Sequence, residues 1–69
     1  MRLSTRNQLT GTVAAIELGA VMAVVKVTLD GGQQVTASIT RDAAIELGLV
    51  VGTAVTTLFK STEVMLGVD

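Results

Sequence analysis

VMAVVKVTLDGGQQVTASIT, residues Val21–Thr40, decides the fold of this chain. On both sides of Asp30-Gly31-Gly32, apolar residues occupy every second position, which is the period of a strand with one buried face. Glycine adopts positive φ without a Cβ clash, so the central tripeptide favours a tight turn. The stretch therefore predicts an antiparallel β-hairpin. Its buried face is expected to carry Val21, Ala23, Val25, Val27 and Leu29 from one strand and Val35, Ala37 and Ile39 from the other.

The sequence on either side of the hairpin predicts three further strands. Residues from about Gln8 to Leu18 are rich in Thr, Val, Ala and Ile, and Gly19-Ala20 follows them as a turn. After the hairpin, residues Ala54–Phe59 predict a fourth strand. Residues Glu63–Val68 predict a fifth, with Val64, Leu66 and Val68 on one face.

A short helix is predicted between the third and fourth strands. Thr40 can cap it, and Asp42 lies in the first turn, where the helix dipole favours a carboxylate. Gly48 is well placed as the residue that ends it. Five strands with a helix between the third and fourth is the order of the OB-fold. The sequence thus predicts an all-β, OB-fold-like, five-stranded Greek-key barrel.

The hexapeptide Ala-Ala-Ile-Glu-Leu-Gly occurs twice, at Ala14–Gly19 and at Ala43–Gly48. The flanking residues differ, which argues against an internal duplication. Turn and cap residues beside a short segment override its weak local propensity. The first copy is therefore predicted to end a strand and the second to form a helix.

The composition narrows the class of protein. A chain of 69 residues is one small domain, residues 1–69, and at 49% hydrophobic residues it is expected to bury surface against copies of itself. It has no Cys and no His, which leaves no disulfide and no Cys/His metal site.

A net charge of −1 and a single aromatic residue, Phe59, argue against nucleic-acid binding. No apolar run approaches about 20 residues, and no signal-peptide pattern is present. We therefore expect a cytoplasmic protein that does not enter membranes.

Two polar segments flank this apolar middle: Ser4-Thr5-Arg6-Asn7-Gln8 and Lys60-Ser61-Thr62. Between them they hold two of the five cations. Hydroxyls, cations and exposed backbone N–H groups are the donors that a small tetrahedral oxyanion requires. The segments therefore predict an oxyanion site rather than a catalytic one.

These two segments, with the Gly31-Gly32 turn and Leu47-Gly48-Leu49, resemble the molybdenum-pterin-binding (Mop) domain, whose small single-domain members are the molbindins. The resemblance extends from Ser4 to Val68. It implies a barrel whose strands exchange between subunits, a homohexamer arranged as a trimer of dimers, and molybdate or tungstate held at subunit interfaces. It also implies storage and homeostasis of the oxyanion inside the cell. No organic cofactor is predicted. The implied oxyanion-binding residues are Ser4, Thr5, Arg6, Asn7, Lys60 and Ser61.

The resemblance also implies a second kind of anion site near the turn formed by Gly19, Ala20 and Val21. At this turn the chain departs from the family pattern, because Met22 stands where many members have Asn. Met22 offers no hydrogen-bond donor, so it weakens any site that uses a polar side chain there.

Three other functions remain as alternatives. The chain could be a structural or regulatory oligomerisation domain in which Ser4 and Lys60 serve an interface and no anion binds. A nucleic-acid-binding OB module is disfavoured by the acidity of the chain. An enzyme is the weakest alternative, because a general acid or base would have to come from carboxylates or lysines and no two carboxylates form an obvious pair. No catalysis is predicted.

Overall fold

The hairpin predicted from Val21–Thr40 is present in the computed structural model, which describes all residues from Met1 to Asp69. The elements in chain order are β1 (Asn7–Leu18), β2 (Met22–Leu29), β3 (Gln34–Thr40), α1 (Arg41–Glu46), β4 (Ala54–Phe59) and a single 3₁₀ turn (Ser61–Glu63). The four strands form one antiparallel sheet in the order β3-β2-β1-β4. The all-β prediction with one short helix before the fourth strand is confirmed.

Strand β1 is the centre of this sheet because it pairs with two neighbours along different parts of its length. Its first part, Asn7–Thr12, pairs with β4, and its second part, Gly11–Leu18, pairs with β2. A bulge between Val13 and Ala15 shifts the register with β2, and bulges increase the local twist of a strand. The sheet therefore curls, and its inner face encloses the core.

Gly11 lies where the two ladders of β1 overlap, opposite both Leu29 and Val55. The residue is buried, and a Cβ built on it would lie 2.5 Å from the carbonyl oxygen of Thr28 and 2.9 Å from Cγ1 of Val27. Only a residue without a side chain allows β2 to approach β1 this closely.

The core is small and comes mainly from the predicted alternation. Val13, Val25 and Val27 are at most 3% exposed, and Ala23 and Ala44 are buried beside them. Val21, predicted to begin the inward series, instead lies in the turn before β2 and is 73% exposed. The β2–β3 ladder begins only at the pair of Met22 and Thr40. The first buried residue of β2 is therefore Ala23.

Helix α1 has the predicted ends. The Thr40 hydroxyl accepts a hydrogen bond from the backbone N–H of Ala43 at 3.1 Å, and Gly48 adopts φ +66° just past the helix. The two copies of the repeated hexapeptide differ as predicted, since Ala14–Leu18 lies in β1 whereas Ala43–Glu46 lies in α1. With six residues, α1 is far too short to cross a membrane, and no other helix could do so.

The prediction of a fifth strand over Glu63–Val68 is wrong for the single chain. After β4 the 3₁₀ turn, with the Glu63 N–H bonded to the Lys60 carbonyl, carries the chain out of the sheet. Val64 is extended, with φ −80° and ψ 126°, but the residues from Val64 onward pair with no strand. A strand exists only through an edge partner, and this segment (the tail, residues 64–69) reaches none in its own chain.

The sheet consequently remains open between the edges of β3 and β4. A groove of about 450 Å³ runs between these edges, and 10 of its 14 lining residues are hydrophobic. Residues from the inner faces of both edges line it, namely Val35, Ala37, Ile39, Val55, Thr57 and Phe59. The single chain is therefore a curled four-stranded sheet with an apolar groove, the seam, between its two edge strands.

The close approach at Gly11 predicts a large loss of stability on substitution. We expect Gly11→Ala to lower the free energy of unfolding by about 1–3 kcal/mol, because the new methyl group meets backbone that cannot move without breaking the ladder. Thr12→Ala is the control, since Thr12 is the neighbouring residue of the same strand and its side chain is exposed. Thermal unfolding at equal protein concentration compares the two variants, and equal Tm values would contradict this account of Gly11.

Candidate oxyanion-binding site

The strand register brings the two polar segments to the same end of the sheet. Asn7 and Phe59 form the outermost pair of the β1–β4 ladder, so the next residues outward on the two strands are Arg6 and Lys60. The Asn7 side-chain amide donates to the Phe59 carbonyl at 3.4 Å, which links the segments across the strand ends. Arg6 and Lys60, which are far apart in the sequence, therefore lie at the same end of the β1–β4 pair.

The backbone at this end has donors without acceptors. None of the N–H groups of Ser4, Thr5 and Arg6 donates a hydrogen bond within the chain, and the same holds for residues 60–62. The ladder of β1 and β4 ends at Asn7 and Phe59, so the N–H groups beyond it have no neighbouring strand. These groups are free to bind an external acceptor.

The side chains of the site are accessible. Ser4, Arg6, Lys60 and Ser61 are exposed, and Thr5 and Asn7 are half-buried. An open groove of about 380 Å³ begins beside them, lined by Arg6, Asn7, Gln8, Leu9, Phe59 and Val64. The structure thus gathers the six predicted residues around one end of the sheet, with Asn7 serving as the link between segments.

Gln8 is a residue of this region that the sequence interpretation left out of the site. Its side-chain amide donates to the Thr5 carbonyl at 2.7 Å, which holds the irregular segment before β1 in a turn. Its place in the Ser-Thr-Arg-Asn-Gln motif was the available signal. Gln8 therefore shapes the segment whose N–H groups are free.

The turn Gly19–Val21, predicted as a second site, lies at the opposite end of β1 and does not join the first. The Gly19 N–H donates to the Met22 carbonyl at 2.7 Å, whereas the N–H groups of Ala20 and Val21 have no acceptor in the chain. Met22 is 44% exposed and opposes Thr40 in the ladder. The turn therefore offers backbone donors, but no polar group from Met22.

Arg41 contacts this turn, although the sequence pattern did not predict it as a site residue. Its backbone N–H donates to the Val21 carbonyl at 2.8 Å, and its guanidinium Nη1 donates to the Gly19 carbonyl at 3.0 Å. The hairpin register contained the signal, because Met22 opposes Thr40 and the next pair outward is Val21 with Arg41.

The chemistry of the first site is that of an anion receptor. Its groups are hydroxyls, backbone N–H groups, one guanidinium and one ammonium, all of which donate hydrogen bonds. Nowhere in the structure do three or more His, Cys, Asp or Glu side chains come together in a way that could hold a metal ion. The arrangement can surround an anion with donors.

Comparison with known proteins gives a consistent result. The TOBE domain model matches residues 3–66. The chain is 41% identical over 69 residues to a probable molybdenum-pterin-binding protein of Haemophilus influenzae, and the match covers both chains completely. It is 50% identical over 67 residues, 97% of its length, to the molybdenum transport protein ModE of Herbaspirillum seropedicae, of which it spans 25%.

Among solved structures, the chain is similar to the cytoplasmic molybdate-binding protein ModG with molybdate bound. The TM-score is 0.94 at 48% sequence identity, and the match covers all of this chain and 49% of ModG. The chain thus spans the whole length of one of these relatives and only a quarter to a half of the other two. Because the domain model covers residues 3–66 and a full-length relative is 41% identical, the chain belongs to the TOBE-domain family, among its molybdenum-pterin-binding (Mop) members.

Proposed function

We propose that this protein binds and stores molybdate or tungstate, without catalysing a reaction, as part of intracellular molybdenum homeostasis. The observation that carries the proposal is the convergence of Arg6, Lys60 and two runs of free backbone N–H groups at one end of the β1–β4 ladder. The relatives support it, since they include a molybdate-bound binding protein and a probable molybdenum-pterin-binding protein. ModG is described as cytoplasmic, which supports a cytoplasmic location for this chain as well.

The ligand chemistry fits the donor set. Molybdate and tungstate are divalent tetrahedral anions with four acceptor oxygens, and a site that removes them from water must replace their hydrogen bonds. Ser4, Ser61 and Thr5 can each donate one hydroxyl, and the N–H groups of residues 4–6 and 60–62 supply further donors. Lys60 and Arg6 add positive charge, and charge-assisted hydrogen bonds are roughly twice as strong as neutral ones. No organic cofactor is needed to complete such a site.

The proposed site is completed between subunits of a homohexamer, arranged as a trimer of dimers. Only 6 of the 69 residues are buried in the single chain, and the four large apolar residues of the tail, Val64, Met65, Leu66 and Val68, are 49–99% exposed. An extended apolar segment and an unfilled apolar seam in the same chain are complementary. Each tail is proposed to fill the seam of a neighbouring subunit as the fifth strand.

The tail begins at the candidate site, which couples assembly to binding. Val64 lines the groove beside Arg6 and Asn7, and only the 3₁₀ turn separates it from Lys60. An exchanged tail therefore carries a neighbouring subunit to the edge of the anion site. Anion binding then stabilises the hexamer by mass action.

Substitution of the site should weaken molybdate binding while leaving the fold intact. We expect Lys60→Ala to weaken binding by about tenfold or more, because a charge-assisted hydrogen bond contributes roughly 1.5–3 kcal/mol. Ser4→Ala removes a neutral donor and should have a smaller effect. The measurement is isothermal titration calorimetry with molybdate, with sulfate as the competing anion.

Lys26→Ala is the matched control for Lys60→Ala, because Lys26 is an exposed cation in the middle of β2, away from both strand ends. It should bind molybdate like the parent chain. Parent-like affinity in both Lys60→Ala and Ser4→Ala would show that the site is assigned to the wrong residues.

The strand-exchange proposal distinguishes two neighbouring residues of the tail. Leu66 and Met65 are equally exposed in the single chain, at 94% and 91%, but they point to opposite faces of an extended strand. We expect Leu66→Ser to shift the protein from hexamers toward smaller species in native mass spectrometry, because in an extended strand Leu66 lies on the same face as Val64 and Val68, and this apolar face is the one proposed to enter the seam. Met65→Ser should leave the hexamer in place.

The same spectra test storage. The parent hexamer should gain several molybdate ions and ignore sulfate. A monomeric parent would refute the assembly, and a hexamer that takes up no molybdate would favour a purely structural oligomerisation domain.

A further inference from the structure

Arg41 makes two contacts with the β1–β2 turn, and the function proposed above uses neither. The residue is half-buried, and its guanidinium makes one hydrogen bond in the chain, to the Gly19 carbonyl. Its backbone N–H holds the Val21 carbonyl. Two carbonyl groups of one three-residue turn are thus held by a single residue at the start of α1.

These contacts determine where the donors of the turn point. A trans peptide unit is planar, and its N–H points opposite to its C=O. The peptide unit between Gly19 and Ala20 has its oxygen on the Arg41 guanidinium, so the Ala20 N–H points away from Arg41. That N–H has no acceptor within the chain, and Ala20 is exposed.

The guanidinium also changes the strength of this donor. A cation on the carbonyl oxygen withdraws electron density from the peptide unit, and hydrogen bonds in a chain strengthen one another. The Ala20 N–H is therefore a stronger donor toward an anion than the amide of an isolated turn. The effect passes through the peptide unit, because the guanidinium lies on its opposite side.

No other side chain donates a hydrogen bond to a carbonyl of this turn. Met22 has no hydrogen-bond donor. The Thr40 hydroxyl, opposite Met22, accepts a hydrogen bond from the Ala43 N–H as the cap of α1 and donates none to the turn. Arg41 is the only charged side chain with a hydrogen bond to the turn.

We propose that Arg41 is a positioning residue that orients and polarises the Gly19–Ala20 peptide unit, so that the Ala20 N–H binds a divalent tetrahedral oxyanion at this turn. The proposal rests on the oxyanion-binding function proposed above. In this proposal Arg41 acts through the peptide unit and does not contact the anion directly. It also accounts for a usable turn site in a chain that has Met22 at the adjacent position.

The test is a molybdate titration of the ¹⁵N-labelled full-length protein, followed by NMR at each backbone amide. In the parent, the Ala20 amide should shift with molybdate and stay unmoved by chloride at the same ionic strength. Arg41→Gln keeps a neutral donor but removes the charge, and the apparent Kd at Ala20 should rise by at least about threefold. Arg41→Lys keeps the charge without the planar guanidinium and should raise it by less.

Lys26→Gln, which removes an exposed cation in the middle of β2, should leave the Ala20 response at parent level. The Val13 and Val25 amides report whether each variant keeps its core. If Arg41→Gln fails to fold, Arg41→Lys carries the comparison. Parent-like affinity at Ala20 in the folded Arg41 variants would overturn the proposal.

The titration separates this inference from the function on which it rests. Shifts at residues 4–7 and 60–61 without any shift at Ala20 in the parent would overturn the part assigned to Arg41 and leave the oxyanion function standing. Shifts at Ala20 alone that weaken in Arg41→Gln would support the part assigned to Arg41 and show that the main site is wrongly placed at the chain ends.

Discussion

The double pairing of β1 is the constraint on which the rest of the structure depends. One strand pairs with β4 along its first part and with β2 along its second, and the two ladders overlap at Gly11 and Thr12. The overlap requires backbones to approach so closely that Gly11 has no room for a side chain. The resulting curl sets the inner face of the sheet around Val13, Val25 and Val27. It also places the two candidate anion-binding segments at opposite ends of the same strand.

Both segments follow from where a β-ladder stops. Inside a ladder an N–H that faces the neighbouring strand has a partner, but beyond the last pair the donors have none unless a loop or ligand provides an acceptor. Residues 4–6 lie just beyond the start of β1, and Ala20 and Val21 lie just beyond its end. An oxyanion provides several acceptors in a small volume, so strand termini suit it. Cations lie near both termini, Lys60 and Arg6 at one end and Arg41 at the other, and positive charge favours the approach of an anion.

The single chain buries little apolar surface, and this is the physical basis of the proposed assembly. Nearly half of the residues are hydrophobic, yet few are buried when the chain is alone. The seam between β3 and β4 and the apolar tail both expose hydrophobic surface in the single chain. The tail does not reach the seam of its own chain, so each tail is proposed to lie in the seam of a neighbouring subunit. The candidate site and the start of the tail lie at one place, where the chain leaves Lys60.

The sequence by itself determined the hairpin, the helix ends and the different structures of the two identical hexapeptides, because turn glycines, a Thr cap and two-residue alternation act over short distances. It also predicted an oxyanion site at Ser4–Asn7 and Lys60–Ser61 from their residue types, and this assignment stays a prediction. Only the tertiary structure decided that residues 64–69 stay unpaired in their own chain, since an extended segment becomes a strand only where an edge is within reach. The contact of Arg41 with Gly19 was likewise decided by tertiary structure, because the register across β2 and β3 joins residues 22 positions apart.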